Sequence, residues 1–262
     1  MKNRKKRLIV FILVVFFLGC SNLKENKQAQ YSLLKGINLT QQGDMNKALQ
    51  CYTDSYKRNP KDIVVLKELG FVYFTFSQYD KAEYYWLEGL KLSPKDDEII
   101  KNLTTMYYKN KEYQKAMKVS NLGYNPKEEY FEQIRGLIFY EQGDIKKAYG
   151  ILKNINKSNF DELTYIKYLD IVKESDNQEK YYETLNMGEL LFENSKEYTL
   201  VCSRELTNGF KKYKEAENLL LNYLVKNGND KDVILMLSWV YSQSGNKQKA
   251  SDSLLLLPKS IK

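Results

Sequence analysis

The sequence predicts an all-α protein built as a solenoid of stacked helical hairpins, and three observations carry that prediction. Alanine recurs with 34 residues between neighbours in two groups: Ala48, Ala82 and Ala116, then Ala216 and Ala250. The four prolines fall where such units would end, and no alternating strand pattern lies between them. A period of this length is typical of helix–turn–helix units that bury their apolar faces only against their neighbours.

The first unit shows why each residue of the pattern is needed. Gly36 is small where two helices press together, and Gly43 makes the turn between them. Ala48 allows a second close approach, Tyr52 fills the space beside it, and Pro60 stops the second helix. The same spacing in later units therefore predicts the same hairpin.

This arrangement resembles the tetratricopeptide repeat, and the resemblance extends over nearly all of residues 29–262. The matching residues are Leu69, Gly70, Tyr73, Ala82, Trp86 and Pro94 in the second unit, Leu103, Tyr107, Tyr113 and Ala116 in the third, Gly136, Phe139, Gly143 and Ala148 in the fourth, and Leu237, Ser238, Tyr241, Gly245 and Ala250 in the seventh. The resemblance implies a right-handed α-α superhelix of about seven hairpins in one elongated domain. Its expected units lie near residues 29–62, 63–96, 97–128, 129–162, 163–196, 197–230 and 231–262.

The fifth and sixth units depart from the pattern. In the fifth, Tyr181 or Tyr182 stands where alanine belongs, so the register of this unit is open by one residue. In the sixth, Arg204 stands where a small residue belongs, although Ala216 fits. The first helix of the sixth unit is therefore expected to be shifted.

The first residues of the chain have the pattern of an export signal. Residues 2–7 are mostly basic, residues 8–18 are an apolar run too short to cross a bilayer, and Gly19 and Cys20 follow. This segment resembles a bacterial lipoprotein signal, with 1–19 removed and lipid attached to Cys20. Phe17 and Leu18 depart from that signal's usual pattern, and an ordinary leader is the alternative.

The segment after the cysteine is a short polar stretch. Residues 20–28 are expected to tether the helical domain to the lipid. The resemblance then implies an exported protein anchored in a membrane, the outer membrane if the cell has one.

The formal charge of +8 overstates the basic character of the mature chain. Five of the positive charges lie in residues 1–19, and without them the net charge is about +3. A long-range basic field of the kind that attracts nucleic acid is therefore not expected.

The residue types of common catalytic sites are missing from the sequence. The chain has no histidine, no CxxC pair, no GxGxxG fingerprint and no phosphate-binding loop. Cys51 and Cys202 lie in the first and sixth units, too far apart in a solenoid for a disulfide. We expect no catalytic residues, no metal and no cofactor.

A binding face follows from the resemblance, because in tetratricopeptide arrays the first helix of each hairpin lines the inner face. The positions 15, 11 and 8 residues before the recurring alanine then face a partner. They are Lys67, Phe71 and Phe74 in the second unit, Lys101, Thr105 and Tyr108 in the third, and Gln133, Leu137 and Tyr140 in the fourth. Aromatic side chains among lysines suit a peptide with apolar and acidic groups. The alternative is that some of these aromatics only pack between repeats.

A second candidate surface lies at the end of the last unit. The final helix is expected to carry four consecutive leucines, Leu254, Leu255, Leu256 and Leu257, which cannot all face one side of a helix. They would form a contact surface for a homodimer or a partner, or would wrap the end of the array.

Together these features indicate a non-catalytic scaffold for protein–protein interaction. The resemblance is to membrane-tethered lipoproteins of the bacterial cell envelope, some of which assist envelope assembly. A binding module for a cell-wall glycan or another non-protein ligand is the alternative, since exposed aromatics also suit sugars.

Overall fold

The structure, a computed structural model, describes residues 25–175 and 177–257. Every regular element in those residues is helical, and no strand occurs among them. Fourteen α-helices of the described chain pair into seven hairpins, so the predicted all-α class and hairpin number are confirmed there. Cys20 and the predicted leader lie outside the described residues, as does most of the predicted tether.

The chain divides into two compact bodies, the N-terminal body Met1–Ile134 and the C-terminal body Arg135–Lys262. The first contains α1 (25–41), α2 (Met45–Arg58), α3 (Ile63–Thr75), α4 (Tyr79–Leu92), α5 (Asp97–Lys109) and α6 (Tyr113–Val119). The boundary falls within α7 (Glu129–Glu141). The second body continues with α8 (Ile145–Leu152), α9 (Glu162–Lys173), α10 (Gln178–Leu191), α11 (Lys196–Asn208), α12 (Tyr213–Asn227), α13 (Lys231–Gln243) and α14 (Lys247–Ser253).

Capping residues and left-handed turn residues set the helix boundaries. Asp62 and Asp96 accept hydrogen bonds from backbone N–H groups in the first turns of α3 and α5, which otherwise lack partners. Within the hairpins, Gly43, Gly143 and Gly245 take positive φ just before the second helix starts. Ser77, Lys111 and Lys211 have the same backbone conformation at the equivalent positions of other hairpins.

Close packing within a hairpin pairs a small residue with a large one. A Cβ added to Gly70 would overlap the indole of Trp86, which is wholly buried. Gly36 stands in the same relation to the ring of Tyr52. The glycines in the first helices of these hairpins therefore make room for large side chains on the second helices.

The structure settles the register of the fifth hairpin at Tyr181. This residue lies four positions after the N-cap Asn177, as Ala48 lies four after the N-cap Asp44. Tyr181 is 3% exposed, and its hydroxyl donates to Glu205 at 2.7 Å. A tyrosine therefore takes the place of the recurring alanine.

The sixth hairpin contains one extra residue between its two helices. The N-caps of α11 and α12, Ser195 and Lys212, lie 17 positions apart, whereas Asp62 and Gln78 lie 16 apart in the second hairpin. The small position is consequently filled by Ser203, which is fully buried, and not by Arg204, which is exposed. The expected shift of this helix is thus a one-residue displacement toward the N-terminus.

Adjacent hairpins are joined by a polar contact that occurs in both bodies. A glutamate on a second helix accepts a tyrosine hydroxyl and a lysine from the next hairpin: Glu83 with Tyr107 and Lys115 at 2.6 and 3.3 Å, and Glu217 with Tyr241 and Lys249, both at 3.1 Å. Each lysine also lies over the ring of its tyrosine. These clusters combine an ion pair with a cation–π contact at two hairpin junctions.

Candidate functional site

The predicted face of the second hairpin is largely occupied by its own contacts. Lys67 pairs with Glu98 at 2.5 Å and with Asp96 at 3.6 Å, and its side chain is mostly buried. Burial alone would lower the pKa of Lys67, but its bonds to the two carboxylates raise the pKa above its ordinary value. This lysine therefore serves the junction with the next hairpin.

The two phenylalanines of this face differ in their surroundings. Phe71 is 37% exposed and open to solvent. Phe74 packs against Tyr79 and Trp86, with ring centroids 5.8 and 5.9 Å apart, and Lys109 lies over its ring. Packing within its own hairpin, together with Lys109 of the next, accounts for Phe74, and Phe71 remains available to a partner.

The third hairpin repeats this internal pairing. Lys101 forms an ion pair with Glu128 at 2.6 Å and lies over the ring of Tyr130. Thr105 donates to the carbonyl of Lys101 at 2.9 Å and also contacts the Tyr130 hydroxyl. Tyr108, the third predicted residue, packs against Tyr113 with ring centroids 6.2 Å apart.

The fourth hairpin does not present its three predicted residues as one surface. Gln133 belongs to the N-terminal body and is half-buried. Leu137 is only 4% exposed, so the expectation that it offers an apolar contact to a partner is wrong: it is a core residue. Tyr140 is half-buried and donates its hydroxyl to Asp170 at 3.1 Å.

An open cavity of about 400 Å³ lies on the corresponding face of the sixth and seventh hairpins. It is lined by Leu200, Arg204 and Asn208 from α11, and by Asp232, Leu235, Met236 and Trp239 from α13. This volume lies within the range usual for ligand pockets, and the lining combines an apolar floor with a few polar groups. We call it the α11–α13 cavity.

A displaced lysine explains why this cavity is apolar. Lys196, at the start of α11, pairs with Asp232 at 2.6 Å and Asp230 at 3.1 Å. These carboxylates are equivalent to the two that Lys67 pairs with, but Lys196 lies one helical turn earlier in its own helix. The position equivalent to Lys67 is thereby free, and Leu200 takes it.

The sequence contained the signal for two of these residues. Leu235 and Trp239 lie 15 and 11 residues before Ala250, so the spacing rule used for units two to four also selects them. Leu200 and Arg204 escape that rule, because the extra residue of the sixth hairpin displaces them by one position relative to Ala216.

The sequence predicts a final helix that carries the four C-terminal leucines, and this prediction is wrong. α14 ends at Ser253, and Leu254–Leu256 form a 3₁₀ turn. Leu255 is 67% exposed and Leu256 is 44% exposed, whereas Leu257 packs partly against the core. The turn spreads the leucines in different directions, and three of them face solvent.

Other chemical groups of the described residues give no further site. No group of three or more Cys, Asp or Glu there could hold a metal ion. Cys202 is wholly buried, and burial raises the pKa of its thiol far above the ordinary value, as for a structural cysteine. Among residues 25–175 and 177–257, no helix has the length and hydropathy needed to span a membrane.

Comparison with known proteins shows similarity of structure but none of sequence family. No family model and no curated protein matches the chain. A tetratricopeptide repeat protein from Parabacteroides merdae ATCC 43184 is 15% identical, with a TM-score of 0.62 over 90% of this chain and 96% of that one. The APC/C hetero-tetramer Cut9–Hcn1 is 16% identical, with a TM-score of 0.54 over 86% of this chain and 46% of that chain. The human IFIT1 dimer with PPP-AAAA is 14% identical, with a TM-score of 0.50, covering 86% and 63% respectively. At these identities the likeness concerns the fold alone, and it shows that the described chain has the tetratricopeptide-repeat fold.

Proposed function

We propose that this protein is a non-catalytic scaffold that binds a segment of another protein through the α11–α13 cavity. One observation carries the proposal: Leu235, 43% exposed, and the half-buried Trp239 line a cavity of ligand-binding size at the repeat positions expected to face a partner. Partly exposed tryptophan next to aliphatic side chains is typical of binding hot spots.

We further propose that the scaffold is held at a membrane of the bacterial cell envelope by lipid on Cys20. The support is the order of basic residues, apolar run and Gly19–Cys20 in the sequence. A protein tethered in this way would gather its partner at the membrane surface, as envelope assembly requires. Replacing Cys20 with serine should release the protein from the membrane fraction, and retention of that variant would refute the anchor.

The C-terminal turn is proposed as a second contact surface. Leu254, Leu255 and Leu256 expose adjacent apolar side chains at the end of the seventh hairpin. The occupant proposed for it is a second copy of the chain. Sedimentation should then give a dimer for the wild type and a monomer for Leu255→Lys, and an unchanged mass would exclude this homodimer.

A glycan-binding role is the second candidate, and Trp239 favours it. An indole bordered by Asn208, Arg204 and Asp232 offers a stacking face together with hydrogen-bonding groups. The length of the contact distinguishes a glycan from a protein segment. A sugar would need only the cavity, whereas a protein segment would extend along α11 and α13.

The decisive experiment is cross-linked affinity purification of the full-length protein from native membranes. Trp239→Ala removes the aromatic wall of the cavity, and Phe71→Ala serves as the matched control on the face of the second hairpin. We expect a protein captured by the wild type and by Phe71→Ala to be lost with Trp239→Ala. Capture that survives Trp239→Ala but is lost with Phe71→Ala would place binding on the predicted N-terminal face.

A further inference from the structure

Of the two charged side chains that line the α11–α13 cavity, Asp232 has an ion-pair partner and Arg204 has none in the described chain. Asp232 is paired with Lys196 at 2.6 Å, and the same lysine also pairs with Asp230 at 3.1 Å. Arg204 lines the same cavity and is exposed, and it forms no hydrogen bond or ion pair with any side chain of residues 25–175 or 177–257. Arg204 is therefore a cation of the lining that no carboxylate of the described chain meets.

The other side chains that line the cavity determine which groups a ligand could carry beside an anionic group bound to Arg204. Leu200, Leu235 and Met236, with Trp239, provide an apolar surface that a single large side chain would cover. Asn208, at the end of α11, is exposed and has no side-chain hydrogen bond to the described chain. Its amide both donates and accepts, as a peptide group requires.

We propose that the α11–α13 cavity recognises an acidic segment of a partner protein, in which one large apolar residue is flanked by Asp or Glu. The apolar side chain lies on Leu235 and Trp239, the carboxylate pairs with Arg204, and the Asn208 amide binds the segment's backbone. This inference rests on the proposed function and adds the class of segment that is bound. A planar guanidinium suits the carboxylate because it can donate two parallel hydrogen bonds.

The test is a selection from a library of random ten-residue peptides displayed on their own mRNA, with the full-length protein in detergent as bait. Wild type, Trp239→Ala and Arg204→Glu are used in parallel. The wild type should enrich peptides that carry an apolar residue with Asp or Glu within two positions. Arg204→Glu should enrich Lys or Arg at those flanking positions instead, because the charge of the side chain at position 204 is reversed.

The contribution of Arg204 to affinity is measured by titrating each variant with the peptide that the wild type enriches most. Arg204→Gln should weaken binding roughly fivefold, as expected for an exposed ion pair, and Arg204→Lys should weaken it less. Arg204 is exposed, so these substitutions leave the fold intact. Raising the salt concentration should weaken wild-type binding and leave the Arg204→Gln complex almost unchanged.

The possible failures are distinguishable. Peptides whose enrichment needs Trp239 but ignores Arg204 would overturn the acidic-segment inference and leave the proposed function standing. Enrichment that is the same in Trp239→Ala and wild type, or no enrichment, would overturn both. A wild-type dimer that dissociates in Trp239→Ala would assign the cavity to a second copy of the chain, against the inference. Leu235→Ala, at a position 43% exposed, repeats the Trp239 test with a smaller change.

Discussion

The faces formed by α3 with α5 and by α11 with α13 have the same place in the repeat but opposite character. On the first, Lys67 is tied to Asp96 and Glu98, and most apolar side chains pack internally. On the second, Leu200 stands at the position of Lys67, and an apolar cavity with an unpaired Arg204 remains open. Equivalent positions of the repeat therefore need not have the same surroundings.

The comparison shows how a repeat can keep its ion pairs to the next hairpin while the character of its face changes. Moving one lysine by a helical turn, from the position of Lys67 to that of Lys196, keeps the ion pairs to the next hairpin. The vacated position can then take a side chain chosen for a partner. One small displacement in sequence thus converts a face closed by ion pairs into one that carries an open, largely apolar cavity.

The largest expected effect is a difference in the free energy of unfolding between alanine substitutions of the two tryptophans of the chain. Trp86→Ala should lower the free energy of unfolding of the N-terminal body by about 3–5 kcal/mol, because it empties a fully buried site. Trp239→Ala should cost only about 1 kcal/mol, since that side chain is partly exposed. Denaturant unfolding of both variants tests this, and a large loss for Trp239→Ala would identify it as a core residue.

The next effect contrasts two glycines. Gly70→Ala should destabilise by roughly 1–3 kcal/mol, because the added methyl group meets the ring of Trp86. In Gly150→Ala the added methyl group meets nothing within 4 Å in the last turn of α8, and the substitution should stabilise by about 0.5–1 kcal/mol. Thermal melts and hydrogen exchange would measure the change in stability of both variants. Equal changes would show that close packing against Trp86 does not govern position 70.

Much of the fold follows from such spacings, but the site does not. The alanine period and the pairing of Gly70 with Trp86 predict the hairpins because they reflect local packing. The one-residue insertion in the sixth hairpin cannot be seen from Ala216, since a turn absorbs it without changing the hydrophobic pattern. Whether Lys67 or Arg204 is free depends on acidic groups in the next hairpin, which side-chain spacing within one unit does not specify.

The smallest effect is a pH dependence at the junction of the sixth and seventh hairpins. Burial alone would raise the pKa of Glu217, but hydrogen bonds from Lys214, Lys249 and Tyr241 hold the pKa below its ordinary value of 4.5. Its stabilisation is therefore complete above about pH 4.5 and is lost as the pH falls through the lowered value.

The measurement is hydrogen exchange of α13 amides as a function of pH, with Glu217→Gln as the control. The wild type should lose protection in acid, after correction for intrinsic exchange, by about 1 kcal/mol or less. The control should begin less protected and change less. Identical profiles for the two proteins would show that Glu217 does not stabilise this junction.

The central claim, that binding occurs at the α11–α13 cavity, is tested most directly by site-specific photo-crosslinking in cells. The photoreactive residue p-benzoylphenylalanine replaces Leu235 in one variant and Phe71 in the other, two positions of similar exposure. We predict a covalent adduct with a partner protein from position 235 and none from position 71. An adduct formed only from position 71 would contradict the account and place the partner on the face of the second hairpin.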